Sequence, residues 1–366
     1  MNPKFVKSSE EGSVYRFTLS EINVSLVNAL RRIILSEIPI NVIKTENYSD
    51  NQCHIEINTT RLHNEILKHR LSCIPIHMKE LDILPGKYLL EVDVKNESEH
   101  TIFITTEDFK IRNKENQNYL TKEETRKIFP PSKIGHFIDF ARLRPKVSDT
   151  IPGEQLKLTA DFSIGNAKAN SMFNVVSLCS YGNTPDLVKI DNIWSQTENK
   201  LKSEKATVDE IEFQRKNYYI LDAQRQFIPD SFDFLIESIG IYENIEIVKM
   251  GCQVIKNKLI VLSQEFDSRI VPVKNSETTI NNSFDITLEN EDYTIGKVLE
   301  YILYEQFYKK EEILTFCGFK KFHPHDPDSK LRIAYKLSSD KDMVYQHMKS
   351  ACIDSARIFE KLEAMF

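Results

Sequence analysis

Apolar residues recur at the spacing of one helix face between residues 24 and 36. The residues that share this face are Leu26, Leu30, Ile33 and Ile34. Asn23 lies directly before the stretch, where its side chain can cap a helix, and Pro39 disfavours helical backbone at the residue before it. Residues 17–19 read Phe-Thr-Leu, a strand-like sequence. We therefore predict a short strand followed by a helix with one broad apolar face.

Two longer stretches repeat apolar residues at alternating spacings of three and four, which is the pattern of a coiled-coil seam. The first seam consists of Ile245, Val248, Cys252, Ile255, Leu259 and Leu262. The second consists of Val344, Met348, Ala351, Ser355, Ile358 and Leu362. Because both narrow seams lie in one chain, we predict two long helices that pack against each other. Replacing Ile255 and Ile358 with Asp should unfold or open the chain, since each Asp would bury a charge in the seam.

The last part of the chain repeats the pattern of its first part. Residues 284–288 (Phe-Asp-Ile-Thr-Leu) predict a strand and residues 292–303 predict a helix. Aligning residues 294–303 with residues 25–34 superimposes the apolar positions of both helices, and the matching residues of the second helix include Ile295, Leu299 and Ile302. We interpret the chain as two related half-units fused head to tail. Chance similarity of two amphipathic helices is the alternative.

Between the half-units the pattern changes. Residues 40 to 175 contain short apolar runs bounded by Asn, Gly and Pro, which predict a strand-rich region. Thr207 and Glu210 have the spacing of a capping box, so we predict a short helix there. Residues 231–238 alternate as a strand does, and the polar residues 266–281 look like a linker.

Composition narrows the classes of function. The chain has 366 residues, enough for two or three domains, with 48 basic and 54 acidic residues and a net charge of -6. This balance argues against a protein whose main task is to hold nucleic-acid phosphates. The six cysteines form no Cys-x-x-Cys pair, so we expect reduced thiols and no structural zinc. No apolar run resembles a signal peptide or a membrane span, and we expect a soluble intracellular protein.

Several segments resemble one protein family. Residues 25–39 (Ser-Leu-Val-Asn-Ala-Leu-Arg-Arg-Ile-Ile-Leu-Ser-Glu-Ile-Pro) resemble the signature helix of the assembly subunits of multisubunit RNA polymerases. These are the bacterial alpha N-terminal domain, the archaeal D subunit and the third-largest subunit of RNA polymerase II. Residues 69–76 (His-Arg-Leu-Ser-Cys-Ile-Pro-Ile) and residues 229–262 are similar to further segments of the same subunits.

From residue 284 the resemblance changes to the smaller partner of that subunit, the eleventh subunit or archaeal L. It is carried by residues 291–299 and by residues 317–327, Cys-Gly-Phe-Lys-Lys-Phe-His-Pro-His-Asp-Pro. A fusion of the two subunits in one chain is similar to the arrangement in large nucleocytoplasmic DNA viruses.

The resemblance implies an α+β fold. It comprises an alpha-subunit-like dimerisation domain (residues 1–44 and 178–265) that is interrupted by a strand-rich insert domain (45–177). After the linker (266–281), a second dimerisation unit of the same type (282–366) follows, and the heptad helices of the two units pair. The internal dimerisation contacts implied are those of Leu26, Leu30, Ile33, Ile34, Val248, Ile255, Leu259, Ile295, Leu299, Ile302, Val344, Met348, Ile358 and Leu362.

The function implied is that of a non-catalytic assembly scaffold without a cofactor, on which the largest and second-largest RNA polymerase subunits dock. Small zinc-binding polymerase subunits are further expected partners, whereas sequence-specific DNA contacts and membranes are not. The expected interface residues are Asn28, Arg31, Arg32, His69 and Arg70, with Arg32 as the best candidate for contacting the second-largest subunit. Charge reversal of Arg31 and Arg32 together should leave the chain folded but block assembly. A viral chain would work in the host cytoplasm and the virion, and a cellular one in the nucleus.

The chain also departs from the family. The four-Cys zinc loop frequent in the third-largest subunit is missing, so we expect no bound zinc. Residues 163–173 lack the His and Trp of the corresponding family segment, and Ser72 replaces the usual glycine after His-Arg-Leu.

Two other functions compete with this interpretation. His323 and His325 form a His-Pro-His-Asp segment, a spacing seen in metal-dependent hydrolases, although no second ligand motif accompanies it. A free-standing homodimeric adaptor is the other alternative, because heptad helices could also pair between two chains.

Overall fold

The computed structural model describes residues 2–148 and 150–366, which form an α+β protein of two compact units. The first unit contains residues up to Ile33, Leu178–Glu237 and Val248–Phe366. The second contains Ile34–Ser177 and Ser238–Ile247. We refer to them as the helix-paired unit and the strand-rich unit.

The helices are α1 (Val24–Ser36), α2 (Asn64–Ser72), α3 (Lys122–Ile128), α4 (Leu187–Ser203), α5 (Val208–Ile220), α6 (Asn244–Asp267), α7 (Tyr293–Leu303) and α8 (Lys341–Glu363). The strands are β1 (Lys4–Glu11), β2 (Val14–Ser20), β3 (Ile40–Val42), β4 (Cys53–Asn58), β5 (Tyr88–Lys95), β6 (Ile102–Thr105), β7 (Lys110–Asn113), β8 (Asp139–Leu143), β9 (Gln155–Asp161), β10 (Ser163–Gly165), β11 (Val176–Pro185), β12 (Phe227–Ser238), β13 (Val273–Asn275), β14 (Ser283–Leu288), β15 (Leu314–Lys320) and β16 (Ser329–Tyr335).

The helix-paired unit contains two four-stranded sheets. The first has the strand order β1-β2-β12-β11 and the second β13-β14-β16-β15. Alternating apolar residues build each sheet: Phe17 of β2 lies opposite Phe234 of β12, and their rings stack 4.7 Å apart. In the second sheet, Ile286 of β14 lies opposite Leu331 of β16, and both are buried. In the first sheet the shorter helix α1 follows β2 and the long helix α6 follows β12. In the second sheet α7 follows β14 and α8 follows β16, the strands at the same positions of the sheet.

The two heptad helices are antiparallel. Near one end of the pair, Lys256 of α6 forms an ion pair of 2.9 Å with Glu363 of α8. Near the other end, Lys349 of α8 contacts Asp267 of α6 at 2.6 Å. These two contacts place residues 256–267 of α6 beside residues 349–363 of α8, with the helices running in opposite directions. Ile245, the first residue of the seam predicted for α6, is 38% exposed and lies before this stretch.

The predicted linker at residues 266–281 differs from the structure. Helix α6 continues to Asp267, and residues 273–275 form the edge strand β13, in which Val273 is buried opposite Ile286. A strand of three residues between Pro272 and Ser276 is too short to show an alternating pattern, so it could not be distinguished from the polar residues around it.

The strand-rich unit is built around a four-stranded sheet with the order β4-β9-β5-β7, joined by the pairs β6-β8 and β10-β3. Residues 34–44 and 238–247, which the sequence analysis assigned to the dimerisation domain, belong to this unit. Two hydrogen bonds tie the second segment to it: the Tyr242 hydroxyl donates to the Pro39 carbonyl (3.1 Å), and the Ile239 amide donates to Val175 (3.1 Å).

Helices α4 and α5 form a hairpin in the helix-paired unit. The predicted capping box at its second helix is confirmed, since the Thr207 hydroxyl accepts from the Glu210 amide and the Glu210 carboxylate accepts from the Thr207 amide. The first helix was not predicted, because only Ile190 and Trp194 of its seventeen residues are buried and its apolar pattern is correspondingly weak.

Gly296 allows a close approach in the second half of the helix-paired unit. A Cβ atom there would lie 1.9 Å from Cε2 of Phe319, so the ring of β15 can pack on α7 only because the residue has no side chain. Alanine in place of glycine normally stabilises a helix by about 1 kcal/mol. We expect Gly296→Ala to lower the free energy of unfolding by roughly 1–3 kcal/mol instead, because the ring must move.

Urea unfolding measures this effect, and Gly182→Ala is the control, since an added Cβ at Gly182 meets no atom within 4 Å. Adding Phe319→Leu to Gly296→Ala should restore part of the loss. A gain in stability for Gly296→Ala alone would contradict the packing described.

Candidate functional site

The outer face of α1 is shaped by how the helix begins and what it buries. The Asn23 side chain accepts a hydrogen bond from the Ser25 amide (2.9 Å), which caps the helix as predicted. The predicted apolar face, Leu26, Leu30, Ile33 and Ile34, is completely buried. The remaining face presents polar side chains, which are therefore held on a rigid backbone.

Asn28 and Arg31 form a pair on this polar face. The Arg31 guanidinium donates through Nε (3.1 Å) and Nη2 (2.9 Å) to Oδ1 of Asn28, and both residues are half-buried. The amide fixes the orientation of the guanidinium and leaves Nη1 of Arg31 without a hydrogen bond to the described residues. A cation held in this way can bind a carboxylate or a backbone carbonyl of another protein.

Arg32 is committed to a contact inside the helix-paired unit. Its Nη2 atom lies 2.5 Å from the Asp292 carboxylate, and its Nε donates to the Thr294 hydroxyl (2.8 Å). Asp292 is the N-cap of α7 and accepts from the Thr294 amide (2.8 Å). Arg32 therefore joins α1 to the first turn of α7, two helices that lie 260 residues apart in the chain.

The Asp292 carboxyl is stabilised in its charged form. Burial alone would raise its pKa, but hydrogen bonds from Thr294 and the charge of Arg32 together lower the pKa below its usual value. Because this pKa is lower in the folded protein than in the unfolded chain, the charged carboxylate stabilises the fold at pH values above its pKa in the unfolded chain. The contribution is lost as the pH falls through its pKa in the folded protein.

Asp292→Asn tests this linkage, because Asn keeps the capping oxygen and removes only the charge. We expect the variant to be less stable than the wild type by about 1 kcal/mol near neutral pH. The difference should disappear as the pH falls through the lowered pKa of Asp292 in the folded wild type, where its carboxylate becomes protonated. Urea unfolding at several pH values measures it, and a difference independent of pH would contradict the role of the charge.

The fourteen residues predicted to make internal dimerisation contacts are all buried. They are Leu26, Leu30, Ile33, Ile34, Val248, Ile255, Leu259, Ile295, Leu299, Ile302, Val344, Met348, Ile358 and Leu362. In addition, the Tyr345 hydroxyl of α8 donates to the Val271 carbonyl just beyond α6 (2.9 Å), and Lys258 of α6 pairs with Glu291 (3.0 Å). The sequence analysis did not identify these polar contacts, because their partners lie far apart in the chain.

His69 and Arg70 lie on α2 in the strand-rich unit. Arg70 is used internally, since it donates to the backbone carbonyls of Phe140 (2.8 Å) and Asp139 (2.6 Å) of β8. His69 is exposed and borders a groove of about 570 Å³ together with Tyr48, Lys68 and Met172. Both residues are exposed, but Arg70 is hydrogen-bonded to β8, whereas His69 borders the groove.

Ser72 has its own partners at the position where the family has glycine. Its hydroxyl is buried, donates to the Ile43 carbonyl (2.8 Å) and lies 2.6 Å from the Thr45 hydroxyl. Because the added oxygen is hydrogen-bonded, the substitution does not leave an unsatisfied polar group in the core.

The His323–His325 segment lies in the exposed loop between β15 and β16. The two imidazole rings are 5.0 Å apart at right angles, and Nδ1 of His323 accepts from the His325 amide (3.2 Å). Among residues 2–148 and 150–366, no three His, Cys, Asp or Glu side chains converge as metal ligands would. The hydrolase alternative thus has no ligand set in the part of the chain that the structure describes.

None of the helices within residues 2–148 and 150–366 combines the length and the apolar character needed to cross a bilayer.

Comparison with known families agrees with the geometry of the helix-paired unit. The sequence model of the RNA polymerase Rpb3/Rpb11 dimerisation domain matches residues 16–259, which is more than half of the chain. The chain belongs to this family. At this level the expected identity is confirmed: the chain is an Rpb3-type, alpha-like RNA polymerase subunit, a non-catalytic assembly subunit.

Individual relatives have low sequence identity to this chain, but the alignments cover most of their length. RNA polymerase II subunit RPB3 of Schizosaccharomyces pombe is 22% identical over 300 residues, covering 77% of this chain and 93% of the relative. Subunit 3B of RNA polymerases IV and V of Arabidopsis thaliana is 24% identical over 285 residues, covering 67% and 85%. RNA polymerase subunit Rpo3 of Methanosphaera stadtmanae is 24% identical over 291 residues, covering 70% and 96%.

Proposed function

We propose that this chain combines an Rpb3-type subunit with its smaller, eleventh-subunit-type partner and forms the assembly platform of a DNA-dependent RNA polymerase by itself. The observation that carries the proposal is the repeated architecture of the helix-paired unit. Both four-stranded sheets have the same strand order, with the short and the long helix at the same positions of each. The family match ends at residue 259, and the second sheet with its helices follows it.

Contacts between the two halves support an intramolecular heterodimer. Helices α6 and α8 lie antiparallel, and their predicted seam residues are buried except Ile245. Arg32 of the first half forms an ion pair with Asp292 of the second. The two subunits that the motifs of this chain resemble are separate chains. Joining them raises their effective concentration to the order of millimolar, so that assembly of the platform does not depend on the supply of a second protein.

The docking surface for a large subunit is proposed to include Asn28 and Arg31 on α1. They are fixed to each other and remain partly open to solvent, whereas Arg32 is used within the chain. On α2, His69 is proposed to contact a partner directly, and Arg70 to hold the neighbouring β8 strand in place. Arg32 is then a positioning residue that fixes α1 relative to α7.

The partners proposed are the largest and second-largest subunits of the polymerase, with small zinc-binding subunits at the edge of the platform. The fused arrangement further suggests a viral polymerase that works in the host cytoplasm and is packaged in the virion. A cellular origin would place the protein in the nucleus.

Analytical ultracentrifugation, followed by co-expression, tests the proposal. The isolated chain should sediment as a monomer at micromolar concentration, because the heptad helices pair internally. Co-expression of the tagged chain with the two largest subunits encoded in the same genome should yield a complex of all three. A stable homodimer that binds neither large subunit would instead support the adaptor alternative.

A further inference from the structure

A groove opens where α6 ends against the second sheet of the helix-paired unit. It has a volume of about 460 Å³ and is lined by the last turns of α6, by residues 270–272 ahead of β13, and by residues 287–291 at and beyond the end of β14. Its apolar lining consists of Val261, Leu262, Ile270, Val271, Pro272 and Leu288. Two of these side chains are strongly exposed, Ile270 at 70% and Val261 at 53%. Apolar side chains this exposed and this close together are typical of interaction sites.

The corresponding place in the first half of the unit is filled. There the chain beyond α8 carries Phe366, whose ring packs on Phe5 of β1 (5.2 Å) and Phe17 of β2 (4.9 Å). Three aromatic rings thus close the space between a long helix and its sheet. In the second half the chain beyond α6 carries aliphatic Ile270, which lines the groove and is 70% exposed. None of the residues that line this groove is aromatic.

The groove is acidic at its rim. Lys258 and Glu291 neutralise each other at 3.0 Å. Glu265 and Glu289, by contrast, form no ion pair with another described residue, and Asp328 lies beside the groove, where it accepts from the Asn290 amide (3.1 Å). An apolar floor with two uncompensated carboxylates favours a ligand that is apolar and basic at once.

We propose that this groove binds a protein segment in which an aromatic or large aliphatic side chain is flanked by Lys or Arg. The apolar side chain would take the place that Phe366 has in the first half, and the cations would pair with Glu265 and Glu289. The comparison of the two halves rests on the proposed function, but the binding chemistry comes from the groove itself. Anchor residues buried in such a pocket supply most of the affinity of a protein interface.

Site-specific photo-crosslinking in the intact complex tests this proposal. The photoreactive amino acid p-benzoylphenylalanine replaces Val261 in the full chain, and the complex is purified through a tag, irradiated and analysed by mass spectrometry. Ile270 is a second position for the probe, and Ile260, exposed on the same helix but outside the groove, is the control. Both probe positions are exposed, and circular dichroism checks that the labelled chains are folded.

The expected result is a crosslink from Val261 or Ile270, but not from Ile260, to another polypeptide, at a large apolar residue next to Lys or Arg. Glu265→Lys combined with Glu289→Lys should reduce its yield by about tenfold, whereas Glu277→Lys in an exposed loop should not. Crosslinks within the chain or to a second copy of it, a yield equal to that at Ile260, or insensitivity to the charge reversal would each overturn the proposal.

Failure of this proposal is distinguishable from failure of the proposed function. If the purified complex contains the large polymerase subunits but gives no charge-sensitive crosslink, only the groove assignment is wrong. If it contains no large subunit, the assembly function fails, whatever the groove binds.

Discussion

Ile255→Asp is expected to unfold the helix-paired unit. Ile255 belongs to the predicted seam of α6 and is fully buried, so that water does not reach its side chain. Removing the side chain costs about 2–5 kcal/mol, and burying a carboxylate without a partner adds to this cost. The sum approaches the whole stability of an ordinary domain, about 5–15 kcal/mol. Circular dichroism and urea unfolding measure the effect, and Ile358→Asp on α8 should act in the same way.

Ile260→Asp is the matched control for this experiment. It introduces the same side chain on the same helix, but at a residue that is 40% exposed, so the carboxylate stays hydrated. We expect a change of no more than about 0.5 kcal/mol there. If Ile255→Asp were tolerated as well as Ile260→Asp, the two heptad helices would not be packed along their seams.

Arg31→Glu is expected to abolish assembly with a large subunit while the chain itself stays folded. Arg31 contacts only Asn28 among the described hydrogen-bond and ion-pair partners, so its reversal removes little internal energy. At an interface it would replace a cation by an anion, and placing like charges against each other costs several kcal/mol. The measurement is the amount of large subunit that co-purifies with the tagged chain, together with its urea unfolding curve.

The controls separate docking from stability. Arg215→Glu on α5 reverses an exposed charge elsewhere in the same unit and should assemble normally. Arg32→Glu should destabilise the isolated chain, because it sets a second carboxylate against Asp292. This alters the expectation from sequence alone that reversing Arg31 and Arg32 together leaves the fold intact. Normal assembly of Arg31→Glu would show that α1 does not dock a large subunit.

Periodicity predicted the elements that have strong one-sided burial. Helix α1 and the two heptad helices each bury a regular stripe, so the spacing of their apolar residues was sufficient to find them. Helix α4 was missed because it buries only Ile190 and Trp194, and β13 because three residues cannot show a period of two. Both are held in place by tertiary contacts that local sequence does not contain.

The sequence identified residues of the candidate site but not which residues they contact. The motif around Arg31 and Arg32 stands out in the sequence, and residues 292–303 were predicted as a helix. That Arg32 binds Asp292 depends on how α1 meets α7, which no local pattern specifies. Both neighbouring arginines were expected at the interface, with Arg32 as the better candidate, and only the structure gives them different partners.

The central claim is that one copy of this chain provides both halves of the assembly platform. Native mass spectrometry of the polymerase purified through a tag on this chain tests it most directly, since it counts the copies of each subunit. The account predicts one copy of the chain together with one copy of each of the two largest subunits and no separate eleventh-subunit-type protein. A complex containing two copies of the chain, or one copy with such a separate partner, would contradict it.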